Sequence, residues 1–171
     1  SNKRANLFNK EIRNRILFRE NELSAGDHLM VVKNNYYWLD PDSAPGFIAN
    51  GDIIELQNVR NMEDLYGFRF ADVTVRMIDY PLEPAFDVKI LLDVLMAESP
   101  SLPDTRQKEL FGKVLEEVND IPQKSVRLEK VRSNPYYNAL QVKFAYALTC
   151  HKTQGGQWEN VFIDQGYLKA E

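Results

Sequence analysis

Phe68 and Phe70 alternate with arginines, after which Val73, Val75 and Met77 alternate in the opposite parity. Alternation of this kind commits a segment to a half-buried strand, because successive side chains of a strand face opposite sides of its sheet. A bulge or corner near Ala71-Asp72 would account for the change of face. The signal recurs along the chain. Leu29-Met30-Val31-Val32 reads as a short apolar strand, and Asn34-Asn35-Tyr36 starts a long, Pro-containing loop. Asn50-Gly51-Asp52 is a tight-turn signal, since Asn and Gly accept positive φ cheaply, and it leads into a strand at Ile53-Ile54-Glu55-Leu56. Val88, Ile90, Leu92 and Val94 continue the alternation after Pro81 and Pro84. Leu140, Val142, Phe144, Tyr146 and Leu148 alternate as a strand that runs directly into Cys150-His151-Lys152. Short strands joined by turns predict a small antiparallel barrel within roughly residues 23–96, closed with help from a strand at 138–148.

Two segments carry the helical period instead. Ala5, Phe8, Ile12 and Ile16 predict an amphipathic helix over roughly residues 3–19, broken by Ser24-Ala25-Gly26-Asp27. Leu110, Phe111, Val114, Leu115 and Val118 form a second helical stripe, between the break at Pro100 to Pro103 and Pro122.

Charge divides the chain in three. Residues 1–19 hold Lys3, Arg4, Lys10, Arg13, Arg15 and Arg19 against Glu11; residues 20–123 hold eight basic and twenty acidic residues; residues 124–171 hold seven basic against four acidic. Basic ends around an acidic middle suggest that the ends form one surface and the middle is a separate insertion. The net charge of −4 argues against a protein coated in positive charge for gripping nucleic acid. Cys150, the sole cysteine, excludes an internal disulfide, and no apolar run approaches membrane-spanning length, so the cytoplasm is the expected location. Cys150 beside His151 does not read as a metal site, because no partner cluster accompanies the pair. His28 reads as structural, Trp158 as a core anchor, and Lys124, Arg127, Lys130 and Arg132 near Tyr136-Tyr137 as either a track for DNA or a plain solvated face.

The stretch from Ala145 to Ile163 reads as strand, polar Gly-containing turn, short helix, strand. Hydroxyl, imidazole and ammonium crowd the expected end of the strand at Thr149, His151 and Lys152, where open α/β sheets place ligand-binding groups. Gly155 and Gly156 would let backbone amides approach a phosphate closely. In its order of residues this stretch resembles motif V of superfamily-1 helicases. Ser1-Asn2-Lys3-Arg4-Ala5-Asn6 with Asn9 looks like the motif IV region of the RecD type. Gly26-Asp27, Asn34-Asn35-Tyr36 and Asn50-Gly51-Asp52 resemble the SH3-like insertion between these motifs.

The resemblance implies an α+β chain, an SH3-like antiparallel β-barrel inserted in a partial RecA-like α/β domain. Residues 1–22 would be a helix of the second RecA-like domain. Residues 23–147 would be the barrel, with a helical excursion near 100–122, and residues 148–171 the return to the RecA-like domain. It further implies a motor driven by ATP and magnesium on single-stranded DNA, whose partners are the remaining helicase domains and nuclease subunits, with no membrane. Carried over, Thr149 and His151 would hydrogen-bond DNA phosphates and Lys152 would add charge. Gln154 and Gly155 would face the nucleotide, Gln157 stands where the family has an acidic residue, and Arg4 would reach a terminal phosphate.

No P-loop accompanies these residues. The Gly112-Lys113 pair has Gln107 where the first glycine belongs and Val114 where Ser or Thr belongs. The chain also stops before the arginine-bearing motif VI of the family, so it is expected to hold one wall of an ATP site, no catalytic residue and no bound cofactor. A reading from a different class is a self-standing β-barrel adaptor for protein or nucleic acid.

Overall fold

In a computed structural model that describes residues 1–165, five strands close into a barrel in sequence order. They are β1 (His28–Val31), β2 (Ile53–Leu65), β3 (Phe68–Met77), β4 (Phe86–Leu91) and β5 (Leu140–Phe144). The architecture is α+β, as expected. Neighbours pair antiparallel except β4 and β5, which run parallel through Ile90↔Leu140 and Leu91↔Gln141. The expected all-antiparallel barrel is corrected at this seam. A parallel neighbour needs a crossover connection, and residues 92–139 supply one that includes α2 (Asp104–Glu116) and α3 (Lys124–Arg132).

The change of parity in β3 is real, and its cause differs from the one expected. Phe70 and Ala71 are both fully buried, yet β3 pairs with β4 without interruption from Phe70↔Leu91 to Val75↔Phe86. Ala71, Val73, Val75 and Met77 point into the barrel core, whereas Phe68 and Phe70 belong to a second core against Leu110, Val114 and Val131 of the crossover helices. Both faces of β3 are therefore covered at Phe70-Ala71, where the buried parity passes from one face to the other, while Arg69 and Arg76 stay exposed. The bulges lie in β2, at Gln57 and Arg60, where two residues oppose one of β3. They bend the longest strand around the barrel. Beyond them β2 joins β3 through Tyr66-Gly67, a two-residue hairpin turn with φ of 58° and 76°. The reading of only Ile53–Leu56 as strand missed this arm, because its outer residues are polar.

Lys89 on β4 anchors the outer face. Its ammonium lies 2.7 Å from both Glu63 and Asp72 and 4.2 Å from the centre of the Tyr136 ring, while the Tyr136 hydroxyl donates to Glu63. The hydrogen bond from Lys89 is the main reason the Glu63 carboxyl is held below its ordinary range.

The N-terminal helix inverts its expected orientation. α1 (Asn2–Glu11) continues as a wider turn over Ile12–Ile16, and its buried residues are Asn6, Asn9 and Arg13. Phe8 and Ile16 of the apolar stripe are exposed, Ile16 to 67%. The polar face is buried because it meets unpaired backbone. Asn6 Nδ2 donates to the carbonyls of Met96 and Ala97. Asn9 Oδ1 accepts from the Tyr146 and Ala147 amides while its Nδ2 donates to the Ala147 carbonyl. Apolar side chains there would leave those groups buried without partners.

Behind the asparagines lies a buried ion cluster. Asp27 is fully buried; its carboxylate accepts from Arg13 Nε and Nη2, Arg19 Nη1, the Tyr146 hydroxyl and the Ser24 amide at 2.8–3.1 Å. The Arg13 guanidinium also stacks 4.2 Å above the Phe144 ring.

Candidate functional site

Asn9 sets the start of the candidate site. By taking up the backbone of Tyr146 and Ala147 it ends strand pairing, so β5 stops at Phe144 rather than running on to Leu148. The chain then turns out of the barrel into a single helical turn, Cys150–Thr153, with Thr149 as its cap residue and the Lys152 amide donating to the Thr149 carbonyl. Thr149, His151 and Lys152 thus sit on a turn beside the barrel, not at the end of a sheet strand, which corrects the expected placement.

Thr149 and Lys152 border a narrow crevice whose opposite wall is Asn2, Ala5, Asn6 and Asn9 of α1. The Lys152 ammonium donates to Asn50 Oδ1 at 3.0 Å, tying the turn to the Asn50-Gly51 loop before β2. His151 is exposed. This turn therefore presents a hydroxyl, an imidazole and an ammonium within four residues, groups that suit an anion.

The glycines divide their roles. Gly155 adopts a φ of 81° in open space, so it serves the turn. The Gly156 amide donates to the Thr153 carbonyl, and the Trp158 indole occupies the space a Cβ at Gly156 would need. The expected approach of both amides to a phosphate is thereby reduced to Gly155. Trp158 is 47% exposed and covers this glycine instead of anchoring a core. Val161 to Ile163 forms no strand, and residues 166–171 of the expected return to a RecA-like domain lie outside the described residues.

Arg4 pairs with Asp164 at 2.7 Å, which places the basic helix against the C-terminal segment. Gln154, Gly155 and Gln157 are exposed and line neither the crevice nor the larger cavity on the barrel. Arg4 is thus held by a carboxylate. The basic N-terminus is likewise less available than its sequence suggests. Arg13 and Arg19 serve Asp27, Arg15 pairs with Glu11 and Lys3 lies 3.8 Å from Glu98.

Lys143, which the sequence reading passed over, lies beneath the turn. It is 9% exposed and its ammonium donates to the carbonyls of Val94 and Ala97. Burial, helped by the charge of Lys152, pushes its pKa down from 10.5 to about 8. Below pH 8 folded and unfolded chains both hold this proton and the desolvation cost is constant. Between pH 8 and 10.5 the unfolded chain binds more protons, so stability rises with pH. One pKa unit is about 1.4 kcal/mol, which bounds the gain at roughly 3 kcal/mol. Both carbonyls keep another donor, Ala97 N for Val94 and Asn6 Nδ2 for Ala97. Lys143→Met is therefore expected to match or exceed wild-type stability at pH 7 and to lose that advantage by pH 10.5. Urea melts at both pH values test this, and an equal deficit of the variant at both would refute it.

Comparison with known families places residues 144–171 on the model of the UvrD-like helicase C-terminal domain. That stretch begins at the last residue of β5 and contains the whole Thr149–Gly156 turn. No curated protein matches the chain. The match supports a superfamily-1 helicase relationship and a helicase-related function.

Proposed function

We propose that this chain is the part of a RecD-type superfamily-1 DNA helicase that runs from the motif IV helix through an SH3-like barrel insertion to motif V. The family match over 144–171 carries this reading. It is supported by the seating of α1 on the matched stretch at both ends of the turn, through Asn9 to Ala147 before it and through Arg4 to Asp164 after it, since two motifs of one motor must meet at one surface. Thr149, His151 and Lys152 are the contacts to single-stranded DNA phosphates. Arg4, Gln154, Gly155 and Gln157 contribute to the nucleotide cleft only together with the rest of the parent protein, which supplies the P-loop and the sites for ATP and magnesium. The remaining helicase domains are its partners in the cytoplasm, with nuclease subunits where the parent is of the exonuclease V alpha type.

The chain is expected to bind single-stranded oligonucleotides weakly, with affinity falling as salt rises. Each phosphate neutralised on a single strand contributes a slope of roughly −0.7 in log affinity against log salt. His151→Ala with Lys152→Ala is expected to lower affinity and to flatten that slope by about 0.7, the one phosphate that the Lys152 charge neutralises, without unfolding. Anisotropy titrations across salt concentrations give both quantities. A double variant with wild-type affinity and slope would sink the assignment of this turn to DNA.

A further inference from the structure

A cavity of about 330 Å³ opens between the Lys33–Tyr37 loop, α2 and the segment that leads from α3 into β5. Its lining has an unusual composition for a chain of net charge −4. Lys33 and Arg132 contribute two cations, Tyr36, Tyr37 and Tyr137 three phenol rings, and five further residues are carboxamides; among the described residues no carboxylate lines it. Neither cation pairs with an acidic residue among the described residues; Lys33 instead donates to Gln107 Oε1 at 3.3 Å.

The walls are fixed by the fold. Asn35 bridges backbone to backbone with Ile48, its Oδ1 accepts from the Tyr37 amide, and its Nδ2 donates to the Asn138 carbonyl at 2.8 Å. Tyr36 stacks on Phe47 with ring centres 4.9 Å apart, and Tyr137 meets Phe111 edge-on at 5.8 Å. Gln107 Oε1 also accepts from Gln141 Nε2, which leaves Gln107 Nε2 as a donor without a protein acceptor among the described residues. Stacked rings, the Gln107 amide donor and two unneutralised cations are the chemistry of a nucleotide: a base to stack and hydrogen-bond, and a phosphate to neutralise.

The cavity is tied to the turn described above through a relay of hydrogen bonds. Lys152 donates to Asn50 Oδ1, the Asn50 amide donates to Asn34 Oδ1 at 2.8 Å, and Asn34 lines the cavity. We propose that this cavity receives one unstacked nucleotide of a single strand that passes the Thr149–Thr153 turn, its base against Tyr36 and its phosphate between Lys33 and Arg132. The proposal rests on the reading of that turn as a strand contact and adds to it a subsite that holds a base.

The test compares, on the whole chain, an oligothymidylate with an abasic strand of the same number of phosphates. Wild type is expected to prefer the thymidylate strand by roughly fivefold or more, the lower end of what one base stacked on an aromatic ring contributes. Tyr36→Ser, at a residue 69% exposed, is expected to abolish the preference and leave affinity for the abasic strand unchanged. Lys33→Gln with Arg132→Gln is expected to weaken both strands and flatten the salt slope. The His151→Ala, Lys152→Ala variant is expected to weaken both strands while keeping their ratio. Equal binding of the two strands by wild type, no binding of either, or a preference that survives Tyr36→Ser would overturn the proposal. Displacement of the oligonucleotide by a proline-rich peptide would do so too, by assigning the tyrosine cavity to a protein ligand. Loss of the preference in Tyr36→Ser together with no effect of the turn variant would leave the cavity standing and remove the turn. The reverse pattern would remove the cavity and keep the turn.

Discussion

Asp27→Ala is expected to destabilise the chain by about 3–5 kcal/mol, the range for breaking a buried ion pair by removing one partner. The carboxylate is fully buried and is the shared acceptor for Arg13, Arg19, Tyr146 and the Ser24 amide. Its loss leaves the Arg13 guanidinium, itself 7% exposed, without a counter-charge. Arg13 belongs to the N-terminal helical segment, Asp27 precedes β1 and Tyr146 follows β5, so three distant parts of the chain lose their common partner. Denaturant melts give the magnitude, and hydrogen exchange locates it: protection is expected to fall first in α1 and at Tyr146 and Ala147. Asp27→Leu combined with Arg13→Met should recover much of the loss, because it removes the orphaned charge along with its partner. A single variant within 1 kcal/mol of wild type would show that the cluster does not hold the helix to the barrel.

Phe70→Ala is expected to cost a similar amount, about 3–5 kcal/mol, by a different route. The ring is fully buried on the outer face of β3, 5.1 Å from Tyr136 and 6.5 Å from Phe68. It packs in the core shared with Leu110, Val114 and Val131, so the cavity opens under α2 and α3 and leaves the barrel interior filled. Near-ultraviolet dichroism and exchange in α2 and α3 are expected to change more than exchange in β2. A uniform loss of protection through the barrel would contradict the division into two cores. Because Tyr137 and Gln107 line the cavity beside Tyr36 from this layer, the variant should also weaken the proposed base preference.

How much of this was legible follows from what each residue meets. The barrel was legible because Val73, Val75 and Met77 face one continuous interior, and alternation reports such a face directly. The stripe from Leu110 to Val118 was legible for the same reason. The helix at Lys124–Arg132 was not, since only Val131 of it is fully buried and five of its nine residues carry charge. The orientation of α1 was misread because apolar spacing was taken as the buried face. Asn2, Asn6, Asn9 and Arg13 fall at the same helical spacing, and a stripe of carboxamides ending in arginine was the available signal for a helix that meets backbone. At the candidate site, the residue types of the turn were legible and its placement was not. The strand's length depends on Asn9, whose contact with Ala147 spans 138 positions and leaves no local trace.

The parallel seam between β4 and β5 has a consequence for how the molecule is made. β2, β3 and β4 are joined by adjacent connections and can pair as soon as they are synthesised. The strand that closes the ring is separated from them by the whole of residues 92–139. Until Leu140–Phe144 leaves the ribosome, β1 and β4 remain open edges, each a template for pairing with another chain. The entropy of closing a long loop rises only slowly with its length, so the excursion costs little at equilibrium. Its effect falls on timing, since non-local closure slows folding, and the interval before closure is when this barrel is most exposed to aggregation.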